Sequence, residues 1–332
     1  MRPNGRAVPS ATLVPRLPAA NFLRRPARLL IALVLLFLSM KPAPAQTNAP
    51  ASAAALSNIV ARAVSAARAE FPKLQVSQIA VTLVDLRDAA RPVRASHRGD
   101  ARIYPASVIK LFYLAAAHRW LEDGRLTSSP ELSRALSDMI VHSSNDATHY
   151  VIDLLTGTTS GPELPAAELQ AWHDKRDAVN RHFAALGYTG INVNKKTWGD
   201  GPYGRETQAI KAFQPNRNLL TTDATARLMT EIVTRECVSN PRSCLMMSLL
   251  RRDLKPPKGK APDGQSQFTG PALPGGAKLW SKAGWTSTTR HDCAYIELPD
   301  GRKFVLVTFT VDHANERGIL HAVARKVVAE LK

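Results

Sequence analysis

Apolar positions along the chain follow two periods, one typical of strands and one typical of helices. Near-continuous apolar and β-branched residues predict a strand at 78–86, QIAVTLVDL, and three more in AKLWSKAGWTSTT, CAYIELPDG and KFVLVTFTVD. The Pro-Asp-Gly sequence at 299–301 predicts a turn between the last two strands. Helical spacing of apolar residues predicts a first helix at 56–71 and a closing helix around 319–331.

The segment between these two ends predicts a block of helices. They are expected at about 107–123, 131–142, 145–156, 163–186, 222–236 and 242–252, followed by a Pro- and Gly-rich connecting loop at 255–276. This order predicts the α/β (α+β) fold class: one antiparallel sheet built from both ends, flanked by the N- and C-terminal helices, with an all-helical subdomain inserted. We therefore predict a discontinuous sheet domain, 58–105 and 256–332, and a helical domain, 106–255.

The first 45 residues have the order of a secretory signal peptide. Three arginines precede the apolar run LLIALVLLFLSM, and the small-residue sequence APA follows at 43–45. We predict a signal peptide at 1–45 and a flexible, Ala- and Ser-rich leader at 46–57; an uncleaved N-terminal anchor is the alternative. In both cases we expect a periplasmic or extracellular protein that meets the membrane only through this segment.

The charge of the chain narrows the range of partners. The formal net charge is +17, and seven basic residues without any acidic one lie in the first 45 residues, so the remainder carries +10. A basic surface suits the polyanions of a cell envelope, whereas the absence of a basic patch interleaved with aromatics argues against nucleic acid. Cys237 and Cys244 could form a disulfide in an oxidising compartment, and Cys293 is predicted to be a buried thiol.

Ser107 and Lys110 lie three positions apart in the apolar stretch YPASVIKLF at 104–112. On a helix, this spacing puts both side chains on one face. The residues that follow are apolar nearly all round, which predicts a buried helix, and a buried ammonium must be paired or lose its proton. A neutral amine beside a hydroxyl is a general base beside a nucleophile. The alternative is a Ser helix cap with a Lys that reaches solvent.

Two further short patterns follow in the chain. MIVHSSNDATHY places Ser143 and Asn145 where two helices meet, and LWSKAGWTSTTR places Lys282 and Gly284 in a strand. Taken singly, these are typical of helix caps and of a strand bulge. In this order, Ser-x-x-Lys, Ser-x-Asn and Lys-Ala-Gly resemble the motifs of the penicilloyl-serine transferase superfamily. The chain is most similar to class A β-lactamases, from about residue 58 to the C-terminus.

This resemblance implies a role for each matching residue. Ser107 would be the nucleophile that becomes acylated, and Lys110 its base or proton relay. Ser143 would pass a proton to the leaving nitrogen, and Asn145 would hold the substrate amide and Lys110. Lys282 would lower the pKa of its neighbours and attract the substrate carboxylate.

The strand that carries Lys282 is expected to supply the rest of the site. The backbone N–H groups of Ser107 and Trp285 would form the oxyanion hole, with Gly284 permitting close approach. Ala283 stands where the family has a hydroxyl residue, and Thr286 or its neighbour Ser287 is the expected substitute. Arg290 is a candidate second contact for a carboxylate.

Deacylation requires a carboxylate that positions a water molecule, and here the chain departs from the family pattern. Glu206 has approximately the right spacing before the helix expected at 222, but the Leu-Asn that should follow it is missing. We predict Glu206 as this residue. The stretch from Ser107 to Ser143 is also shorter than is typical of class A enzymes, which predicts a more open cleft.

Together with the signal-peptide pattern, the resemblance implies an exported serine hydrolase that opens β-lactam amides through a Ser107 acyl-enzyme, in β-lactam catabolism and antibiotic resistance. The alternatives are a penicillin-binding D-alanyl-D-alanine carboxypeptidase acting on peptidoglycan stem peptides, and a catalytically weak homologue that binds the cell envelope. No cofactor and no metal are predicted, because His142 and His149 lack a third ligand nearby. His291 and Asp292 are expected to make structural hydrogen bonds, and a monomer is favoured.

Overall fold

The computed structural model describes residues 52–213, 216–255 and 263–332. The predicted signal peptide and residues 46–51 of the predicted leader lie outside these ranges. Helix α1, Ala53–Glu70, begins at Ser52, whose side chain accepts a hydrogen bond from the Ala55 N–H. The leader prediction is therefore wrong for residues 53–57, which are helical because Ser52 caps the helix and Leu56 is buried in the core.

Both ends of the chain contribute to one antiparallel sheet, which confirms the predicted fold class. Its strands are β1 (Ile79–Asp85), β2 (Val93–His97), β3 (Arg251–Arg252), β4 (Lys278–Trp285), β5 (Thr289–Glu297) and β6 (Lys303–Val311), in the order β2-β1-β6-β5-β4-β3. The four predicted strands are β1, β4, β5 and β6. The two edge strands escaped prediction because β2 mixes polar and apolar residues and β3 has only two.

The remaining helices agree with most of the predicted positions. They are α2 (Lys110–Glu122), α3 (Pro130–Val141), α4 (Asn145–Thr156), α5 (Ala166–Arg176), α6 (Ala178–Ala185), α7 (Gly204–Ala212), α8 (Thr222–Val233), α9 (Asn240–Leu250) and α10 (Gly318–Glu330). The helix predicted at 163–186 is divided at Asp177, and α7 was not predicted. The described residues include no helix whose length and apolar content would let it cross a bilayer.

Two apolar layers cover the two faces of the sheet. Successive residues of β6 alternate between them: Phe304 and Leu306 join the cluster formed with α1 and α10, whereas Val305 and Val307 join the cluster formed with the inserted helices. Helix α2 is buried on nearly all sides within the second cluster. The division into a sheet domain and a helical domain stays a prediction, and β3 shows that residues placed in the helical domain also extend the sheet.

The three cysteines are free thiols. The structure therefore contains no disulfide between Cys237 and Cys244. Cys293 is fully buried in β5, in agreement with the prediction.

Candidate active site

Ser107 lies in a single 3-10 turn, Ala106–Ile109, that leads directly into α2. The preceding Ala106 has a φ of 46°, in the left-handed region that non-glycine residues rarely adopt. Surrounding structure holds this conformation, because Ala106 is buried and the Val108 N–H donates to the Pro105 carbonyl. Ser107 is thus fixed at the start of a buried helix, where backbone N–H groups are free to face a ligand.

Lys110 is completely buried one helical turn after Ser107. Its Nζ donates to the Ser143 carbonyl at 2.5 Å and to Asn145 Oδ1 at 2.9 Å, and it lies 3.3 Å from Ser143 Oγ. Burial lowers the pKa of Lys110 to about 7. A substantial fraction of Lys110 is therefore a neutral amine at neutral pH, as a general base requires.

Ser143 and Asn145 project from the tight connection between α3 and α4. Ser143 has a φ of 56°, which turns the chain sharply, and Ser144 supplies the helix cap by accepting from the Ala147 N–H at 3.2 Å. Because Ser144 caps the helix, the side chains of Ser143 and Asn145 remain available to Lys110.

Lys282 approaches the same hydroxyl group from β4. It is fully buried, and its Nζ donates to Ser143 Oγ at 3.0 Å and to the Ala283 carbonyl at 2.8 Å. Burial, followed by the positive charges of Lys110 and Arg252, lowers the pKa of Lys282 well below its ordinary value. The Ser143 hydroxyl therefore lies between two buried amines, which suits it to the transfer of protons.

Gln265 completes this cluster and was missed in the sequence. Its Oε1 accepts from Lys282 Nζ at 2.7 Å, and its Nε2 donates to the carbonyls of Ile140 and Val141, both at 2.8 Å. Gln265 thus joins the end of α3 to Lys282 while being almost fully buried. It lies in the segment interpreted as a connecting loop, where one Gln among polar residues gives no signal.

Gly284 explains how β4 can lie against the Ser107 turn. A Cβ atom at this position would be 2.7 Å from the Pro105 carbonyl oxygen and 2.8 Å from the Ser107 nitrogen. Only glycine permits this approach. The backbone that leads to Trp285 is thereby brought beside the Ser107 N–H, as the predicted oxyanion hole requires, while the Trp285 side chain is half exposed.

The comparisons with known proteins agree with this arrangement. The model of the beta-lactamase enzyme family matches residues 60–331. The chain belongs to this family.

Solved structures show the same fold at low sequence identity. A beta-lactamase from Sphaerobacter thermophilus is 21% identical, with a TM-score of 0.58, over 82% of this chain and 97% of that one. PBP-A is 18% identical, with a TM-score of 0.58, over 82% and 96%. The TLA-1 extended spectrum beta-lactamase is 15% identical, with a TM-score of 0.60, over 82% and 99%. The search of curated proteins found no match.

Two of the residues predicted to bind a carboxylate have other partners. Thr286 Oγ1 accepts from the backbone N–H groups of Thr288 and Thr289 and so forms the turn between β4 and β5. Arg290 Nε donates to the Ala314 carbonyl at 2.6 Å, and its guanidinium packs over Phe268. Strand alternation puts Arg290 on the sheet face opposite to Lys282. The structure does not bring either residue into the Lys110 cluster, which is the hydrogen-bonded group of Lys110, Ser143, Asn145, Lys282 and Gln265.

His291 and Asp292 point to opposite faces of β5 and do not act as a pair. The Nδ1 atom of His291 accepts from the Thr310 N–H, so Nε2 donates to the Tyr104 carbonyl at 2.9 Å. Burial lowers the pKa of His291 to about 4, which keeps the ring neutral. His291 thus anchors the chain just before Ser107 through a structural hydrogen bond.

Among the described residues, Glu206 has no hydrogen bond to Lys110, Ser143, Asn145 or Lys282, and its role as the deacylation residue stays a prediction. Its buried carboxylate accepts from Arg176 Nη2 at 2.8 Å and from Ser160 Oγ at 2.9 Å. Arg176 also contacts Asp153, eight residues after Asn145 and therefore about 12 Å further along α4. Glu206 lies on α7, which was not predicted, and its Oε1 atom is 2.8 Å from Arg176 Nη2 and 4.0 Å from Lys196 Nζ.

A different segment, Lys195–Trp198, contacts α2 and α4 one turn beyond Lys110 and Asn145. The Tyr113 hydroxyl, one turn after Lys110, donates to the Lys195 carbonyl at 2.8 Å. His149 Nε2, one turn after Asn145, is 3.0 Å from the Thr197 carbonyl. The sequence of this segment, KKTW, supplies no carboxylate.

Proposed function

We propose that this member of the beta-lactamase enzyme family is an exported serine hydrolase that opens β-lactam amides through a Ser107 acyl-enzyme. The observation that carries the proposal is the buried Lys110, whose lowered pKa and contacts with Ser143 and Asn145 supply a base one turn from Ser107.

Acylation follows from these contacts in three steps. Neutral Lys110 accepts the proton of the Ser107 hydroxyl as Ser107 Oγ attacks the carbonyl carbon. The backbone N–H groups of Ser107 and Trp285 stabilise the negative charge on the carbonyl oxygen. The proton then passes from Lys110 through the Ser143 hydroxyl to the ring nitrogen, the carbon–nitrogen bond breaks, and Ser107 carries the acyl group.

The position of Glu206 favours slow hydrolysis of that ester. Hydrolysis needs a base within reach of a water molecule beside the acyl carbon, and Glu206 Oε1 accepts from Arg176 and Ser160, away from the contacts of Lys110. This observation supports a second candidate function, a penicillin-binding peptidase acting on peptidoglycan stem peptides. The two functions share the acylation cluster and differ in the lifetime of the acyl-enzyme.

The test uses the purified chain with a chromogenic cephalosporin and, separately, with a fluorescent penicillin. Rapid colour without a lasting label supports β-lactam hydrolysis as the main activity. A stable label with little colour supports the penicillin-binding peptidase. Neither colour nor label, with binding to cell-wall sacculi that is unchanged in Ser107→Ala, would contradict both and favour an envelope-binding protein.

Export is part of the proposal and is supported by the sequence at 1–45. Expression of the full chain in an export-competent bacterium should yield a product in the periplasm or medium that begins at residue 46. A product that keeps its first residues and remains with the membrane would contradict cleavage and favour an anchor.

A further inference from the structure

We propose that a cavity beside the Ser107 turn is a subsite for the acyl group of the substrate, and that it favours a planar acyl group bearing a carboxylate. The inference rests on the proposed acylation of Ser107. The cavity has a volume of about 610 Å³, and its walls include Tyr104, Lys195, Trp198, Arg217 and Asn218. This volume lies within the range of sites that hold small organic ligands.

The cavity lies next to the chain segment that leads into Ser107, because Tyr104 forms part of its wall. Tyr104 precedes Ser107 by three residues, and His291 holds its carbonyl in place. The opposite wall belongs to Lys195–Trp198, which is bound to α2 and α4 one turn from Lys110 and Asn145. An acyl group that extends from the Ser107 ester past Tyr104 towards this segment would reach the cavity, which Tyr104 and Lys195 both line.

The walls of the cavity present flat aromatic surfaces. The Trp198 ring lies against His149 with a centroid distance of 4.4 Å, and it also contacts Tyr203 at 5.6 Å. The Tyr104 ring is covered by the Arg217 guanidinium at 4.2 Å. Rings held by such contacts are positioned to pack against a planar group.

The charges of the cavity favour an anion. Arg217 is exposed, and no carboxylate of the described residues forms a salt bridge with it. Lys195 is 6% exposed, and its Nζ has no hydrogen-bond partner among the described residues. A buried donor without a partner is costly, so a ligand carboxylate that supplies the missing acceptor is stabilised.

The test compares benzylpenicillin with α-carboxybenzylpenicillin, which differ only by a carboxylate on the acyl group. The second-order rate constant of acylation is measured for each by competition with a fluorescent penicillin. Arg217→Ala should slow acylation by the carboxylated compound by about threefold to fivefold and leave that by benzylpenicillin unchanged. Arg217→Lys should restore the preference, and added salt should weaken it in the unaltered protein.

Two further variants separate charge from shape. Trp198→Ala should slow acylation by both penicillins by about tenfold, because both carry the same phenyl ring. Arg94→Ala removes an exposed positive charge on β2, outside this cavity, and serves as the matched control. Equal effects of Arg217→Ala and Arg94→Ala on both compounds would overturn the anionic subsite while leaving Ser107 acylation intact. Failure of the unaltered protein to react with any penicillin would overturn both proposals.

Discussion

Replacing Asn145 by Asp changes the charge beside Lys110 while the size of the side chain stays the same. In the structure, Asn145 Oδ1 lies 2.9 Å from Lys110 Nζ. At that distance and an effective dielectric constant of about 20, a full negative charge would stabilise the ammonium by about 6 kcal/mol. Desolvation of the new carboxylate offsets much of this energy, and one pKa unit corresponds to about 1.4 kcal/mol. We therefore expect the pKa of Lys110 to rise by about 1 to 2 units.

The sign of the effect on acylation follows from the role of Lys110 as a base. In the unaltered protein, acylation should become faster as the pH rises through about 7, because Lys110 then loses its proton. In Asn145→Asp the same rise should occur at about pH 8 to 9. The assay is the rate of labelling by a fluorescent penicillin as a function of pH.

A neutral control distinguishes charge from the loss of a contact. Asn145→Leu removes the acceptor without adding charge, so its pH profile should not move to higher pH, although its rate falls. An Asn145→Asp profile at the same position as that of the unaltered protein would refute the assignment of Lys110 as the base.

Four other substitutions test the surrounding structure. Gln265→Met should lower the free energy of unfolding by about 1 to 3 kcal/mol, because two backbone carbonyls lose their donor, and should slow labelling; Gln267→Met, in the same turn, should do neither. Gly284→Ala should abolish labelling without unfolding the chain, as circular dichroism would show, because its Cβ would lie 2.7 Å from a backbone oxygen. Arg176→Met should lower the free energy of unfolding in urea by about 3 to 5 kcal/mol by leaving the buried Glu206 carboxylate without its partner. Glu206→Gln should leave the lifetime of the acyl-enzyme unchanged if Glu206 only stabilises the fold, and a longer lifetime would support Glu206 as the deacylation residue.

The parts of the site that could be predicted are those that short stretches of sequence encode. Ser107 and Lys110 share a helical turn, so their spacing and the apolar background indicated a buried amine beside a hydroxyl, with a helix cap as the alternative. Ser143 and Asn145 taken alone indicated only helix caps, and the order of the three short motifs, which resembles a known family, singled them out. The central strands were predicted for a similar reason, since their burial makes them apolar on both faces.

The parts that escaped prediction depend on contacts between distant segments. Gln265 contacts Ile140 and Val141 from more than a hundred residues away, and no local pattern marks such a contact. The position of Glu206 depends on Arg176 and on the path of an inserted helix, which residue counting cannot supply. Arg290 lies between the predicted strands AKLWSKAGWTSTT and CAYIELPDG, and its face in β5 is set by the register with β4.

The contacts of Glu206 bear on the choice between the two candidate functions, because its Oε1 atom is bound by Arg176 and Ser160 and not by Lys110 or Ser143. Forming the acyl-enzyme needs only groups gathered around Ser143, and these are held by α2, by α4 and by β4. Hydrolysing it needs a further base. The segment Lys195–Trp198, which is bound to α2 and α4, contributes cations and an indole ring, and its Lys196 Nζ is 4.0 Å from Glu206 Oε1. Lys195 is itself a buried amine whose pKa burial lowers to about 8, so it remains largely protonated at neutral pH and is poorly suited to activate water. Under the proposed acylation of Ser107, these contacts favour slow release of the product, and the measured lifetime of the Ser107 ester decides between the two candidate functions.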